Sequence, residues 1–174
     1  NDLAQWAMDA DRTGPTEVEF VRARWLPEGS LFHAALETEF RCRYENGVEL
    51  ICRTDDPPVQ ARFEGTDGII VTGYGRSYSE PASIWKSAIA PDEFHLPPSD
   101  NHVGNFIEAV KNRQDPIAPV EVGHRSATLC HLGVIACRLG KQKTLRWDPQ
   151  TERFTNDDDA NAMLRRPWRS PWDI

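Results

Sequence analysis

The 174-residue sequence predicts an α+β fold: an open, mostly antiparallel β-sheet with helices packed on one face. Three observations lead there. Residues Leu36 to Arg53 alternate apolar and charged side chains on either side of Asn46-Gly47, the signature of a half-buried hairpin. Two later stretches, Val103 to Val110 and Val122 to Leu139, place apolar residues at helical spacing. A composition of 39% hydrophobic and 27% charged residues describes a globular chain, long enough for one domain spanning 1–174 with a sizeable core.

The hairpin register follows from charge and hydrophobicity alone. A two-residue turn at Asn46-Gly47 would set Val48 against Glu45 and Leu50 against Arg43. A three-residue loop, Glu45-Asn46-Gly47, with Gly47 left-handed in a bulge, instead pairs Tyr44 with Val48, Cys42 with Leu50 and Phe40 with Cys52. Arg43 then meets Glu49 and Glu39 meets Arg53, both opposite-charge pairs. One face becomes apolar and the other charged.

Before the hairpin, Asp2 to Ala10 reads as a helix with Leu3, Trp6 and Ala7 on one stripe, stopped by Thr13-Gly14-Pro15. Glu17 to Trp25 reads as a strand and Pro27 to Ser30 as a loop. Beyond the hairpin, Asp55-Asp56-Pro57-Pro58 breaks the pattern, and strands are expected at Val59 to Glu64 and Gly68 to Thr72, joined by a turn. Gly73 to Pro98 reads as irregular, with a short strand or turn at Ser83-Ile84-Trp85. Ser99 or Asp100 is expected to cap a helix ending near Asn112-Arg113, and a second helix, Val122 to Leu139, stops at Gly140. Short strands at Leu145-Arg146-Trp147 and Arg153-Phe154 and a helix from Asp158 to Leu164 close the chain. Trp168 and Trp172, set between prolines, read as a strap whose indoles fill pockets.

A net charge of −7 argues against a general nucleic-acid partner, and no apolar run approaches the ~20 residues needed to span a bilayer. No basic-then-apolar signal segment opens the chain. Asp157-Asp158-Asp159 reads as a solvated helix start. Cys42 and Cys52 sit diagonally across the hairpin, too far for an unstrained disulfide, and Cys130 and Cys137 lie nearly two helical turns apart. All four read as small buried hydrophobes, and no spacing suggests a metal.

Few residues offer chemistry. Asp2 and Gln5 form either the solvated side of the first helix or the lip of a cleft. His124, Thr128, His131 and Arg138 make one polar stripe on a helix apolar almost all round, where Gly133 admits a close neighbour. The two histidines either line a pocket or divide into a core His131 and an exposed first-turn His124. Gly73-Tyr74-Gly75-Arg76-Ser77 lacks the continuation of a dinucleotide fingerprint and reads as a loop. No G-x-S-x-G elbow surrounds Ser77, Ser79 or Ser83.

A set of short blocks adds a resemblance: Asn1 to Trp6, Glu121 to Ser126 continuing through Cys130 to Gly133, and Trp147-Asp148-Pro149. Glu64-Gly65-Thr66, Glu80 to Ser83, Asn161 to Leu164 and Arg169 to Trp172 extend it over nearly the whole chain. Together they resemble the C-terminal domain of bacterial Gfo/Idh/MocA-type oxidoreductases, the relatives of glucose–fructose oxidoreductase and inositol dehydrogenase. The resemblance implies a dihydrodipicolinate-reductase-like C-terminal fold that works beside an N-terminal Rossmann domain holding NAD or NADP. It also implies hydride transfer to or from a sugar or polyol, and a homo-oligomer built through the open sheet. Glu39, Arg41, Arg43, Glu49 and Arg53 would then meet a second copy.

In that family a Rossmann-domain lysine and an Asp-x-x-x-His pair serve proton transfer. The pair would lie just ahead of Asn1, and Asp2 matches the acid that follows it. The expectation is therefore a domain that binds no cofactor itself, holds no principal catalytic residue and is inactive alone. Its cleft-wall candidates are Asp2, Gln5, His124, Arg125 and His131. A non-catalytic sugar- or protein-binding module of the same fold is the alternative.

Overall fold

The computed structural model describes residues 1–54, 61–73, 75, 77–93, 95, 98–166 and 169–171. The break at Asp55 to Pro58, the Val59 strand start, Tyr74 and Arg76 of the glycine loop, and the Trp168 and Trp172 strap lie outside them. Where the sequence suggests one domain, the contacts group the chain into two compact units, Asn1–Thr54 with His124–Ile174, and Asp55–Gly123.

The first unit holds helix α1 (Asp2–Ala7), strands β1 (Glu17–Trp25), β2 (Ala35–Arg43) and β3 (Glu49–Arg53) and, later in sequence, β7, β8 and α5. β7 (Thr144–Asp148) and β8 (Arg153–Phe154) complete a five-stranded sheet ordered β3-β2-β1-β7-β8, every described pairing antiparallel. The hairpin has the register its side chains demand: Phe40 pairs with Cys52, Cys42 with Leu50, Arg43 with Glu49 and Glu39 with Arg53. Tyr44 and Val48 close the loop through Tyr44 N–H to Val48 O at 3.0 Å, with Gly47 at φ 84°. That left-handed turn is open to glycine without a Cβ clash.

β1 changes phase midway. Phe20 pairs with Phe40, yet Arg22 pairs with Glu39, so Val21 is an extra, bulged residue. Without it Arg22 and Arg24 would point into the core. With it they join the charged face, where Arg22 meets Glu39 at 2.9 Å and Arg24 meets Glu37 at 2.6 Å. The change from apolar even positions (Val18, Phe20) to apolar odd ones (Val21, Ala23) is the trace this bulge leaves in the sequence.

Helix α4 (Val120–Leu139) starts two residues ahead of expectation, just after Pro119. Its Leu129, Leu132, Ile135 and Ala136 are buried with Val18, Phe40, Cys42, Leu145 and Trp147 in one core cluster. Gly133 lies under the Phe40 ring, where an added Cβ would fall 2.2 Å from the ring. The close neighbour expected at Gly133 is therefore the sheet itself. The remaining side of α4 is open: Val134 is exposed although the sequence reads as apolar almost all round. α5 (Asp158–Ala162) is shorter than expected. Its cap, Asp157, accepts from Ala160 N–H at 2.8 Å, with Asp158 and Asp159 in the first turn.

The second unit holds β4 (Ala61–Gly65), β5 (Gly68–Thr72) and β6 (Tyr78–Glu80) in an antiparallel sheet of their own, with α2 and α3. Two expectations are corrected here. Ser83-Ile84-Trp85 is helical, within α2 (Ala82–Lys86), held by Ser79, whose hydroxyl oxygen accepts from Trp85 N–H at 2.9 Å. The cap of α3 (His102–Asn112) is Asn101, not Ser99 or Asp100, because the Asn101 side chain reaches Gly104 N–H at 2.8 Å. Arg113 ends α3 in a left-handed conformation.

Candidate functional site

The N-terminal helix is fastened to the first unit by polar contacts. Gln5 is its buried residue: Nε2 donates to Ala10 O and Thr13 O, each at 3.1 Å, and Oε1 accepts from the Tyr44 hydroxyl. Placement of Gln5 on a solvated helix side or a cleft lip is thus corrected, since its amide closes the turn after α1 and is buried. The expected apolar stripe is corrected as well: Trp6 is exposed while Gln5 faces inward. Burial raises the Tyr44 hydroxyl above its ordinary pKa, so it acts as a neutral donor here.

Clamped in this way, α1 presents its first turn to α4 and β3. Asp2 Oδ1 accepts from Ser126 Oγ at 2.7 Å. Asn1 bridges two thiols: Nδ2 donates to Cys130 Sγ at 3.0 Å, and Cys52 Sγ donates to Oδ1 at 3.2 Å. Burial pushes the Cys52 thiol up to about 11, with the neighbouring Cys130 adding to the rise. At neutral pH it is a hydrogen-bond donor and not a nucleophile. All four cysteines are free, but Cys130 is exposed, which corrects its reading as a buried hydrophobe. Asp2 is exposed and acceptor-only when ionised, and Ser126 occupies one of its two oxygens. What remains is an oriented carboxylate able to accept from hydroxyl groups.

The other candidates lie elsewhere on α4. At 100° per residue, Ser126 is about 140–160° around the helix from His124 and His131. His124 Nε2 meets Glu152 Oε1 at 2.5 Å, and Arg125 donates to Pro149 O at 2.7 Å and to Glu152 at 3.3 Å. The β7–β8 turn makes this possible. Asp148 takes the Thr151 hydroxyl and the Gln150 and Thr151 N–H groups, which holds its carboxyl below the usual range, and Glu152 follows at φ 53°. His131 is exposed and lines the same groove as His124, so its reading as a core histidine is corrected. The structure therefore separates Asp2 from the histidine stripe. Ser126 and Glu152 escape sequence reasoning because each is defined by a partner more than 25 residues away; only the helical phase of Ser126 relative to His124 hints at two faces.

The interface candidates stand on the sheet face opposite the core. Arg43 pairs with Glu49 at 3.4 Å and Glu17 at 3.9 Å, and Glu39 lies between Arg22 and its register partner Arg53. Arg41, opposite Ile51, has its Nε buried without a hydrogen-bond partner among the described residues. Every described strand pair is antiparallel, and no glycine-rich turn joins a described strand to a helix. Among the described residues no group of three metal-ligating side chains converges, and no helix is long and apolar enough to cross a membrane.

An open antiparallel sheet with helices over its apolar face defines an α+β domain, and its first helix presents the Asp2 carboxylate oriented by Ser126. The family model described as the oxidoreductase family, C-terminal alpha/beta domain, matches residues 2–174. The chain belongs to the Gfo/Idh/MocA oxidoreductase family, as its C-terminal α/β domain. No curated protein and no solved structure matches.

Proposed function

We propose that this domain forms the substrate-side wall of an NAD(P)-dependent oxidoreductase acting on a sugar or polyol, alongside a nucleotide-binding domain. The observation that supports this most directly is the exposed Asp2 carboxylate, steadied by Ser126 at 2.7 Å on a helix clamped through Gln5. A carboxylate fixed by one neutral donor keeps free lone pairs for the hydroxyls of a polyol, where a loosely held one would lose more rotamer freedom on binding. Asp2 is a binding and orienting group in this reading. Arg125 acts through Glu152 and Pro149 and holds the β7–β8 turn, so it is a positioning residue. The charged sheet face serves self-association, and the unpartnered Arg41 Nε is the group a second copy would satisfy.

The test is steady-state kinetics of the full-length protein with a panel of sugars and polyols and either nicotinamide. Asp2→Ala should lower kcat/KM by about 10- to 100-fold, the loss of one or two hydrogen bonds to a charged group. Ser126→Ala should lower it less. Unchanged turnover in Asp2→Ala would sink the assignment.

A further inference from the structure

The other side of α4 carries a groove that Asp2 does not line. This groove of about 970 Å³ runs between α4, the β7–β8 turn and the segment after α5. Its floor is apolar, formed by the buried Leu132, Ile135 and Trp147. Its rim is basic: Arg138, Arg153, Arg165 and Arg166 all line it and all are exposed. Among the described residues these four arginines form no ion pair or side-chain hydrogen bond. Glu152, the one carboxylate among the described lining residues, is already taken by His124 and Arg125.

Four guanidinium groups around one groove, with no ion-pair partner among the described residues, are notable on a chain whose net charge is −7. Like charges held together raise the energy of the empty site and lower it once an anion enters. An independent observation points the same way. Trp147 is buried, lines the groove, and its indole Nε1–H has no acceptor among the described residues. A buried donor without a partner is satisfied most simply by an oxygen supplied from outside.

We propose that this groove binds a small organic polyanion, a phosphorylated or polycarboxylate compound whose charged groups meet Arg138, Arg153, Arg165 and Arg166. Guanidinium forks match the paired oxygens of phosphate and carboxylate, and the apolar floor accepts the carbon skeleton between them. The volume suits a ligand of metabolite size. This site does not depend on the sugar-oxidoreductase reading, and its test reads binding and not turnover.

The experiment is an NMR titration of the 15N-labelled full-length protein, with pyrophosphate in one arm and citrate in the other. The Trp147 indole resonance is assigned by its loss in Trp147→Phe. A saturable shift of that resonance is expected with at least one probe, weakening as salt is added. The dissociation constant should rise at least tenfold in Arg138→Gln/Arg153→Gln, and again in Arg165→Gln/Arg166→Gln, two variant pairs at exposed positions. Tighter pyrophosphate binding would assign the phosphorylated class, and tighter citrate binding the polycarboxylate class. No saturable shift with either probe, or an affinity unmoved in both variant pairs, would overturn the proposal.

Discussion

The Tyr44 hydroxyl donates to the side-chain oxygen of Gln5, so the end of the β2–β3 hairpin holds the helix that carries Asp2. The two residues are 39 apart in sequence and both buried. Tyr44→Phe should leave the Gln5 oxygen without its donor and cost about 1–3 kcal/mol, read as a lower urea midpoint. Gln5→Ala should cost more, since it strips partners from Ala10 O and Thr13 O as well. Equal midpoints for wild type and Tyr44→Phe would contradict the clamp.

Gly133 and Phe40 set the spacing between α4 and the sheet. Gly133→Ala should destabilise the protein by roughly 1–3 kcal/mol through overpacking, despite the better helix propensity of alanine. The loss should shrink in a Phe40→Leu background, where the ring is gone. A double-mutant cycle of thermal or urea unfolding measures that coupling.

Asp157 should make the protein acid-sensitive in a definable window. Lys143, the Ala160 N–H and Lys141 hold its carboxyl well below the ordinary value of 3.8. A carboxylate whose folded pKa is depressed contributes stability above its unfolded pKa, and that contribution fades as pH falls toward the folded value. Asp157→Asn should therefore lower the urea midpoint at neutral pH, and the gap to wild type should narrow below about pH 4. A gap independent of pH would show that the ion pairs with Lys141 and Lys143 contribute nothing.

Charge reversal tests the sheet face. Arg41→Glu/Arg43→Glu places carboxylates beside Glu17, Glu19 and Glu49, against its own ladder and against the second copy proposed to meet this face. Sedimentation should show a smaller assembly than wild type, with the circular dichroism spectrum retained. An unchanged mass would remove this face from the assembly.

Much of the fold is legible in the chain because its signals are local. Period-2 alternation and opposite-charge pairs specify the hairpin register down to the Glu45-Asn46-Gly47 loop, and helical spacing locates α3 and α4. The same alternation sorted Glu39, Arg41, Arg43, Glu49 and Arg53 to one face. Errors fall where a local signal is weak. Ser83 to Trp85 is too short for periodicity to distinguish turn, strand and helix, and Asn101 competes for the cap with two other capping residues beside it.

The site divides along the same line. By itself the sequence determined the strands of the larger sheet and the two long helices, the apolar and charged faces of the hairpin, and membership of an oxidoreductase family, all of which are written in neighbouring residues or short blocks. Only the tertiary structure decided that Gln5 is a buried clasp, that Asp2 belongs with Ser126, and that His124 and His131 share a groove with four arginines instead of with Asp2. The physical reason is range. A strand's pattern is set by residues two apart, whereas each of these contacts joins segments whose separation along the chain carries no information about their meeting.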